Sequence, residues 1–132
     1  MTPRCFLVVD DDPAVRQALE KAITRRGDQV LLASSGEQAC VILGQHAVHA
    51  VLLDLRMPMM SGQTVFHVIL TQWPHLASRV IILSADPEAQ EHHEWLRMYS
   101  LPVMSKPFEL TQVFRVLDAI VADDQRLQAN GH

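Results

Sequence analysis

The stretch Phe6-Leu7-Val8-Val9-Asp10-Asp11-Asp12-Pro13 joins an apolar run to the start of a helix, and it decides the fold. Its four apolar residues are consecutive, which is typical of a strand covered by helices on both faces. Asp12 and Pro13 have the pattern of an N-cap followed by the first residue of a helix. Apolar residues then recur at helical spacing up to Gly27. The stretch therefore predicts a strand that leads directly into a helix.

The same alternation continues along the chain. Short apolar runs predict strands over residues 6–9, 29–33, 50–53, 80–83 and 102–105. Helical patterns follow each of them, over about 13–27, from 34–37 onward, over about 61–73 and 87–98, and from 110 to 121. Five strand–helix units predict an α/β fold, in which a five-stranded parallel sheet is doubly wound by five helices.

The length of 132 residues fits one domain. We assign residues 1–122 to that domain and residues 123–132 to a polar C-terminal tail. Hydrophobic residues make up 48% of the chain and charged residues 20%, so neither a disordered nor a fibrous protein is indicated.

Charge and hydropathy exclude several classes of function. The net charge is −4 and the basic residues are scattered, which argues against direct binding to nucleic acid. No apolar run approaches the roughly 20 residues that a membrane helix needs, and no separate signal region precedes the first strand, so we expect a cytoplasmic protein with no membrane contact. Cys5 and Cys40 lack C-x-x-C spacing and are expected to be reduced thiols without a function.

Polar residues capable of chemistry follow four of the predicted strands. Asp10 and Asp11 come after the first strand, Asp54 after the third, Ser84 after the fourth, and Lys106 after the fifth. Because ligands bind at the carboxyl edge of a parallel sheet, we expect these side chains to lie together.

Three clustered carboxylates repel one another by about 4 kcal/mol per pair at 4 Å when the effective dielectric constant is about 20. A hard divalent cation such as Mg²⁺ offsets this repulsion and also binds phosphate oxygens. One carboxylate can then act as a nucleophile toward a phosphoryl group, while a lysine and a hydroxyl neutralise and position its oxygens. The residue set predicts phosphoryl transfer to an aspartate.

Four segments resemble the signature blocks of response-regulator receiver domains, in the same order. They are Val8 to Pro13, Leu53 to Pro58 with Gly62, Ile82 to Ala85, and Ser105 to Phe108. The resemblance covers about residues 4–122. It implies a flavodoxin-like strand order 2-1-3-4-5 and a signalling phosphoacceptor, which is an enzyme only in catalysing its own phosphorylation and dephosphorylation.

The resemblance also implies roles for single residues. Asp54 is the expected phosphoacceptor, and Lys106 and Ser84 contact its phosphoryl group. The expected ligands of Mg²⁺ or Mn²⁺ are Asp10, Asp11, Asp54 and the backbone carbonyl of Arg56. A cis peptide bond is expected between Lys106 and Pro107.

The partners implied by the resemblance are proteins. A histidine kinase or a histidine phosphotransfer protein is the expected phosphodonor in a two-component phosphorelay. An output domain or a target protein is the expected receiver of the signal, and the last helices are the expected face of a homodimer.

The sequence departs from the family pattern at the switch position. Receiver domains usually carry an aromatic residue three positions before the lysine, where this chain has Val103. Ser84 is the other expected switch residue. Arg56 and Asp86 occupy the positions that modulate phosphoryl lifetime, and we hypothesise that Asp86 orients a hydrolytic water while Arg56 partly covers the site.

Two other functions remain open from the sequence. Asp10-x-Asp12 resembles the nucleophile and acid/base pair of haloacid-dehalogenase-type phosphatases, although Asp54 has no role in that interpretation. The second alternative is a receiver-like scaffold that binds partners without being phosphorylated. The complete set of acids, hydroxyl and lysine favours the phosphorylated receiver over both.

The remaining polar and sulfur-containing residues are interpreted as structural. Glu91-His92-His93-Glu94 is predicted to be a solvated helix face, because adjacent helical side chains do not converge on a metal. Met57, Met59 and Met60 are predicted to fill gaps in the core. Trp95, Met98 and Tyr99 are predicted to pack half-buried.

Overall fold

The computed structural model describes residues 3–86 and 90–130 and has the predicted alternation of strands and helices. The five strands are β1 (Cys5–Val9), β2 (Gln29–Ala33), β3 (Ala50–Asp54), β4 (Val80–Ser84) and β5 (Val103–Ser105). The helices are α1 (Pro13–Arg25), α2 (Gly36–Gln45), α3 (Gly62–Gln72), α4 (Gln90–Tyr99) and α5 (Leu110–Asn130). All strand pairs are parallel, and their order is β2-β1-β3-β4-β5, which confirms the predicted fold class.

Two separate apolar cores explain why the strands are apolar on both sides. On one face, Leu7, Leu53 and Ile82 pack against residues of α2, α3 and α4. On the other face, Val8 and Leu52 pack against residues of α1 and α5. Alternate residues of each strand therefore face different helix layers, as a doubly wound sheet requires.

The N-terminus of α1 forms as the opening stretch predicts. The Asp12 side chain accepts a hydrogen bond of 2.9 Å from the Ala14 N–H, and Pro13 is the first helical residue. This contact satisfies one of the free N–H groups at the helix start, and proline has no N–H to satisfy.

Several element bounds differ from the sequence-based expectations. A 3-10 helix at Pro74–Arg79 was not predicted, because six residues are too few to show a helical periodicity. Helix α5 continues to Asn130, so the proposed domain boundary at residue 122 lies inside it. Polarity alone does not end a helix, and this segment contains no glycine or proline before Gly131. The predicted helical residues 87–89 lie outside the described part of the chain.

Two further features concern the cysteines and the character of the helices. Cys5 and Cys40 are half-buried free thiols, and burial raises the pKa of both, which lowers their reactivity. Among the described residues, none of the helices combines the length and apolar character needed to cross a membrane.

Candidate functional site

The carboxyl edge of the sheet gathers three aspartates. Asp10 follows β1, and Asp54 is the last residue of the neighbouring strand β3. The Asp10 N–H donates to the Ala33 carbonyl at 3.1 Å, which continues the pairing of β1 with β2 beyond the strand. Carboxylate oxygens of Asp10, Asp11 and Asp54 all lie within 4.8 Å of one another. The predicted acidic cluster therefore forms.

Asp10 is fixed by contacts on most sides. It is fully buried, and its Oδ1 accepts a 2.9 Å hydrogen bond from the Asp12 N–H. The guanidinium of Arg16 donates to the Asp10 carbonyl oxygen at 2.7 Å. Asp10 Oδ2 lies 2.6 Å from Lys106 Nζ but has no partner with hydrogen-bond angles among the described residues. This oxygen is thus held by charge attraction to Lys106.

Lys106 brings the opposite charge into the cluster. Its N–H donates to the Ser84 carbonyl at 2.8 Å, which extends the pairing of β4 with β5, and its peptide bond to Pro107 is cis as predicted. Its Nζ lies 2.6 Å from Asp10 and 3.5 Å from Asp54. Burial acts to lower the pKa of Lys106, but its contacts with the two aspartates outweigh burial and raise it. The ammonium group therefore stays charged.

Asp54 has the most strongly altered acidity in the site. Burial, followed by the negative charge of Asp10, raises its pKa from an ordinary 3.8 to about 7. The positive charge of Lys106 and the Arg56 N–H, 3.3 Å from Asp54 Oδ1, oppose this rise. Burial and the neighbouring carboxylate therefore outweigh the lysine in setting the pKa of Asp54.

This cost of ionising a buried Asp54 predicts that Asp54→Asn stabilises the domain in a metal-free buffer at pH 8. A rise in pKa from 3.8 to about 7 corresponds to about 4 kcal/mol against the charged form, so we expect a gain of about 2–4 kcal/mol in the free energy of unfolding. Because the unfolded carboxyl ionises first, wild-type stability should fall as the pH rises from about 4 to about 7 and then level off. Urea unfolding with a chelator at pH 5 and pH 8 measures both effects.

The control for this prediction is Asp12→Asn, since asparagine is also a good N-cap and residue 12 is exposed. Its stability difference from wild type should be small at both pH values. A loss of stability in Asp54→Asn at pH 8 would contradict the raised pKa of Asp54.

The cluster has the donor set of a hard-cation site. It offers oxygen ligands from carboxylates, one of which is exposed at Asp11 and therefore accessible from solvent. Mg²⁺ prefers a few carboxylate oxygens and keeps several waters. The residues present therefore fit a divalent cation, although the lysine already occupies one side of Asp10.

The remaining predicted residues surround this cluster. Ser84 is buried at the end of β4, and its Oγ accepts a 3.2 Å hydrogen bond from the N–H of the exposed Asp86. The Arg56 side chain is exposed. Val103 is half-buried on β5, paired with Ile82, and packs in the core on the α3–α4 face.

A glycine lets α3 start against the site. A Cβ at Gly62 would overlap the Asp54 carbonyl oxygen and would lie 2.8 Å from Leu55 Cα. Since these are backbone atoms, they cannot move aside without shifting β3. The Gly62 N–H also donates to the Leu55 carbonyl at 2.9 Å, which closes the turn between β3 and α3.

We predict that Gly62→Ala lowers the free energy of unfolding by about 3 kcal/mol, because overpacking at this position displaces the backbone of Asp54. The matched control is Gly44→Ala in α2, where an added Cβ has no atom within 4 Å. That helical substitution should be neutral or stabilise by up to about 1 kcal/mol. Urea unfolding measures the free energy of unfolding of both variants. Equal changes in the two would refute the close approach of Gly62 to the backbone of Asp54 and Leu55.

One buried residue contradicts the sequence-based interpretation of α4. His92 was predicted to lie on a solvated face, but it is only 7% exposed, whereas His93 is exposed. Its ring contacts Arg56 and Gln63. The spacing of His92 with the apolar residues Trp95, Leu96 and Tyr99 is the helical signal that places it on the inner face.

The predictions for neighbouring large side chains are confirmed in part. Trp95 and Tyr99 are half-buried and pack edge-to-face on Phe66, and Met57 is buried. Met98 is 71% exposed and Met59 is 97% exposed, so the packing predicted for these two is wrong. Met59 has a φ of 73° at the turn after β3, which directs its side chain away from the core.

Comparison with known proteins gives a family match over most of the chain. Residues 6–118 match the family model of the response regulator receiver domain. The chain is 36% identical over 115 residues to the transcriptional regulatory protein KdpE of Mycobacterium tuberculosis. That match covers 87% of this chain and 50% of KdpE, so the chain spans about half the length of this relative.

Solved structures show the same fold. A receiver domain of an HD domain-containing protein from Pseudomonas fluorescens superposes with a TM-score of 0.84 at 21% identity, covering 95% of this chain and 99% of that one. The receiver domain of a sensor histidine kinase from Pseudomonas aeruginosa gives 0.80 at 24% identity, with coverage of 92% and 99%, and that protein has a magnesium ion in its active-site cleft. With its fold, acidic cluster and family match together, the chain belongs to the response regulator receiver domain family.

Proposed function

We propose that Asp54 accepts a phosphoryl group in a Mg²⁺-dependent reaction, with a histidine kinase or a histidine phosphotransfer protein as the donor. One observation carries this proposal: a buried Asp54 carboxylate shares the sheet edge with two further carboxylates and lies 3.5 Å from a lysine ammonium. A nucleophilic carboxylate, a cation site and a fixed positive charge are the groups that transfer to an aspartate requires.

Asp10, Asp11, Asp54 and the Arg56 carbonyl are the proposed ligands of Mg²⁺ or Mn²⁺. Such a cation would neutralise charge on the phosphoryl oxygens and lower the pKa of Asp54, so that its carboxylate is ionised at neutral pH. The arrangement of the three carboxylates supports this assignment, because burial and the charge of Asp10 make ionisation of Asp54 costly unless further positive charge is present.

Different residues are proposed to have different roles in the reaction. An Asp54 oxygen forms a bond to phosphorus while the P–N bond to the donor imidazole breaks, and the imidazole leaves with its electron pair and takes up a proton. Lys106 neutralises the developing charge on the phosphoryl oxygens. Ser84 Oγ already accepts from the Asp86 N–H, so its own proton remains available to donate to a phosphoryl oxygen.

Residues beside the site are proposed to control the lifetime of the phosphoryl group and the response to it. Asp86 would orient a hydrolytic water, and Arg56 would partly cover the phosphoryl group. With Val103 in place of an aromatic residue, movement of Ser84 toward the phosphoryl group remains the proposed switch, and its effects would pass to β5 through the Lys106 N–H to Ser84 carbonyl bond.

The wider setting is proposed from the family. Residues 1–122 would act as the receiver in the cytoplasm, with residues 123–132 as a tail in which α5 continues. The phosphorylated receiver would signal to an output domain or a target protein, without itself binding nucleic acid, and the last helices would form a homodimer face. Self-catalysed transfer and dephosphorylation at Asp54 would be its only catalytic activities.

Incubation with Mg²⁺ and acetyl phosphate separates this proposal from its alternatives. We expect the intact mass to gain one phosphoryl group, and we expect chelator to prevent that gain. Steady turnover of p-nitrophenyl phosphate would instead support the phosphatase, although Asp12 caps α1 in the structure and is thereby engaged elsewhere. The absence of both label and Mg²⁺ binding would support the scaffold.

A further inference from the structure

His92 connects α4 to the segment after Asp54. Its Nε2 lies 3.5 Å from Arg56 Nε, and its Nδ1 lies 3.2 Å from the side-chain amide nitrogen of Gln63 on α3. The imidazole is 7% exposed, so it lies in the interface between these elements. No step of the proposed reaction uses this residue.

The chemistry of the two contacts fixes the form of the ring. A guanidinium only donates, so His92 Nε2 accepts and the ring proton is on Nδ1. Nδ1–H then donates to Gln63, whose amide oxygen reaches that position by a half-turn of the side chain. Gln63 thereby orients the imidazole, and the imidazole presents its lone pair to Arg56.

Arg56 is itself part of the site boundary. Its backbone N–H lies 3.3 Å from Asp54 Oδ1, and it is the second residue after Asp54. Its side chain and His92 both line an open cleft of about 580 Å³, together with Met57, Pro58, Ser61 and Gln63. The contact between these two lining residues holds the segment after β3 from outside the acidic cluster.

Helix α4 offers a firm support for this contact. Trp95 Nε1 donates to His67 Nε2 on α3 at 3.3 Å. Trp95 and Tyr99 also pack against Phe66, with ring centroids 5.3 Å and 5.0 Å apart. His92 therefore lies on a helix that packs against α3 one turn further along.

We propose that His92 is a positioning residue for the reaction at Asp54: by holding the Arg56 side chain on α4, it fixes the Arg56 backbone beside the phosphoacceptor. The inference rests on the proposed function. It predicts that loosening the contact misplaces both the Arg56 N–H and the Arg56 carbonyl, which slows phosphoryl transfer and weakens Mg²⁺ binding. Small misplacements of supporting groups have large effects on such reactions.

The test compares His92→Ala with Arg56→Ala and the double variant. Each single variant should slow labelling by acetyl phosphate about tenfold and raise the Mg²⁺ dissociation constant, measured by calorimetry, about tenfold. The double variant should be no worse than Arg56→Ala, because His92 is proposed to act through the Arg56 side chain. His92→Gln keeps an acceptor toward Arg56 and should restore most of the loss, and the exposed neighbour gives the control His93→Ala, which should behave as wild type.

The design separates positioning from stability. His92→Ala removes a buried ring and leaves a cavity, which by itself lowers stability. Arg56→Ala breaks the same contact by shortening an exposed side chain, so it leaves no cavity. Additive losses in the double variant would overturn the role of His92 and leave the proposed function standing. The same holds if both single variants keep wild-type labelling and Mg²⁺ binding while wild type is labelled. Absence of label in wild type would overturn the proposed function, and the role of His92 with it.

Discussion

Asp54→Asn should abolish labelling by acetyl phosphate and Mg²⁺. The amide nitrogen and oxygen of asparagine have nearly the shape of the carboxylate, so the fold and its 4% exposure at this position should be kept. An uncharged amide is not a nucleophile toward phosphorus, so no acyl phosphate can form. Intact mass measured over a time course of labelling gives the result directly.

Two comparisons make this loss specific. Asp12→Asn changes the same functional group two residues beyond Asp10, at an exposed N-cap, and should be labelled at the wild-type rate. Asp54→Asn is also expected to be more stable than wild type in metal-free buffer at pH 8, so unfolding cannot explain its loss of label. Label that persists in Asp54→Asn would show that another carboxylate is the acceptor.

Lys106→Met should slow labelling by about 100-fold to 1000-fold, the range found when one fixed donor to a developing oxyanion is removed. Methionine has a side chain of similar length but no charge. The substitution removes the ammonium group that lies 2.6 Å from Asp10 and 3.5 Å from Asp54. Both carboxylates then lack this positive charge. We also expect a loss of about 3 kcal/mol in the free energy of unfolding at neutral pH, as when one partner of a buried ion pair is removed.

The chain supplies its own control, because Lys21 is its other lysine and is exposed on α1. Lys21→Met should match wild type in both labelling and stability. Circular dichroism of Lys106→Met, at the temperature of the labelling assay, establishes whether the variant is folded. A folded Lys106→Met that is labelled at the wild-type rate would remove the lysine from the mechanism.

The acidic cluster was predictable from the sequence because it depends on local patterns. Each strand is a short apolar run, and a polar residue such as Asp10 or Lys106 marks its carboxyl end. Parallel pairing then brings those ends to one edge, whatever the details of the helices. The structure adds that Asp54 and Ser84 are the last residues of their strands and are therefore held within the sheet.

The features that were missed have different physical origins. The helical spacing of His92 with Trp95 and Tyr99 is a local signal for the inner face of α4. Its polar partners Arg56 and Gln63 lie 36 and 29 residues away, and no sequence pattern connects them with it. The exposure of Met59 follows from a backbone turn at positive φ, which a methionine does not signal. Helix α5 is longer than predicted. Its last turns are polar, and amphipathic periodicity cannot detect such turns.

Locating the phosphoryl group within the chain tests the central claim most directly. After labelling with acetyl phosphate and Mg²⁺, borohydride reduces an aspartyl phosphate to homoserine, and peptide mass spectrometry identifies the altered residue. We predict homoserine at position 54 and at no other aspartate. Homoserine at position 10, 11 or 12 with Asp54 intact would contradict the assignment of Asp54 as the phosphoacceptor.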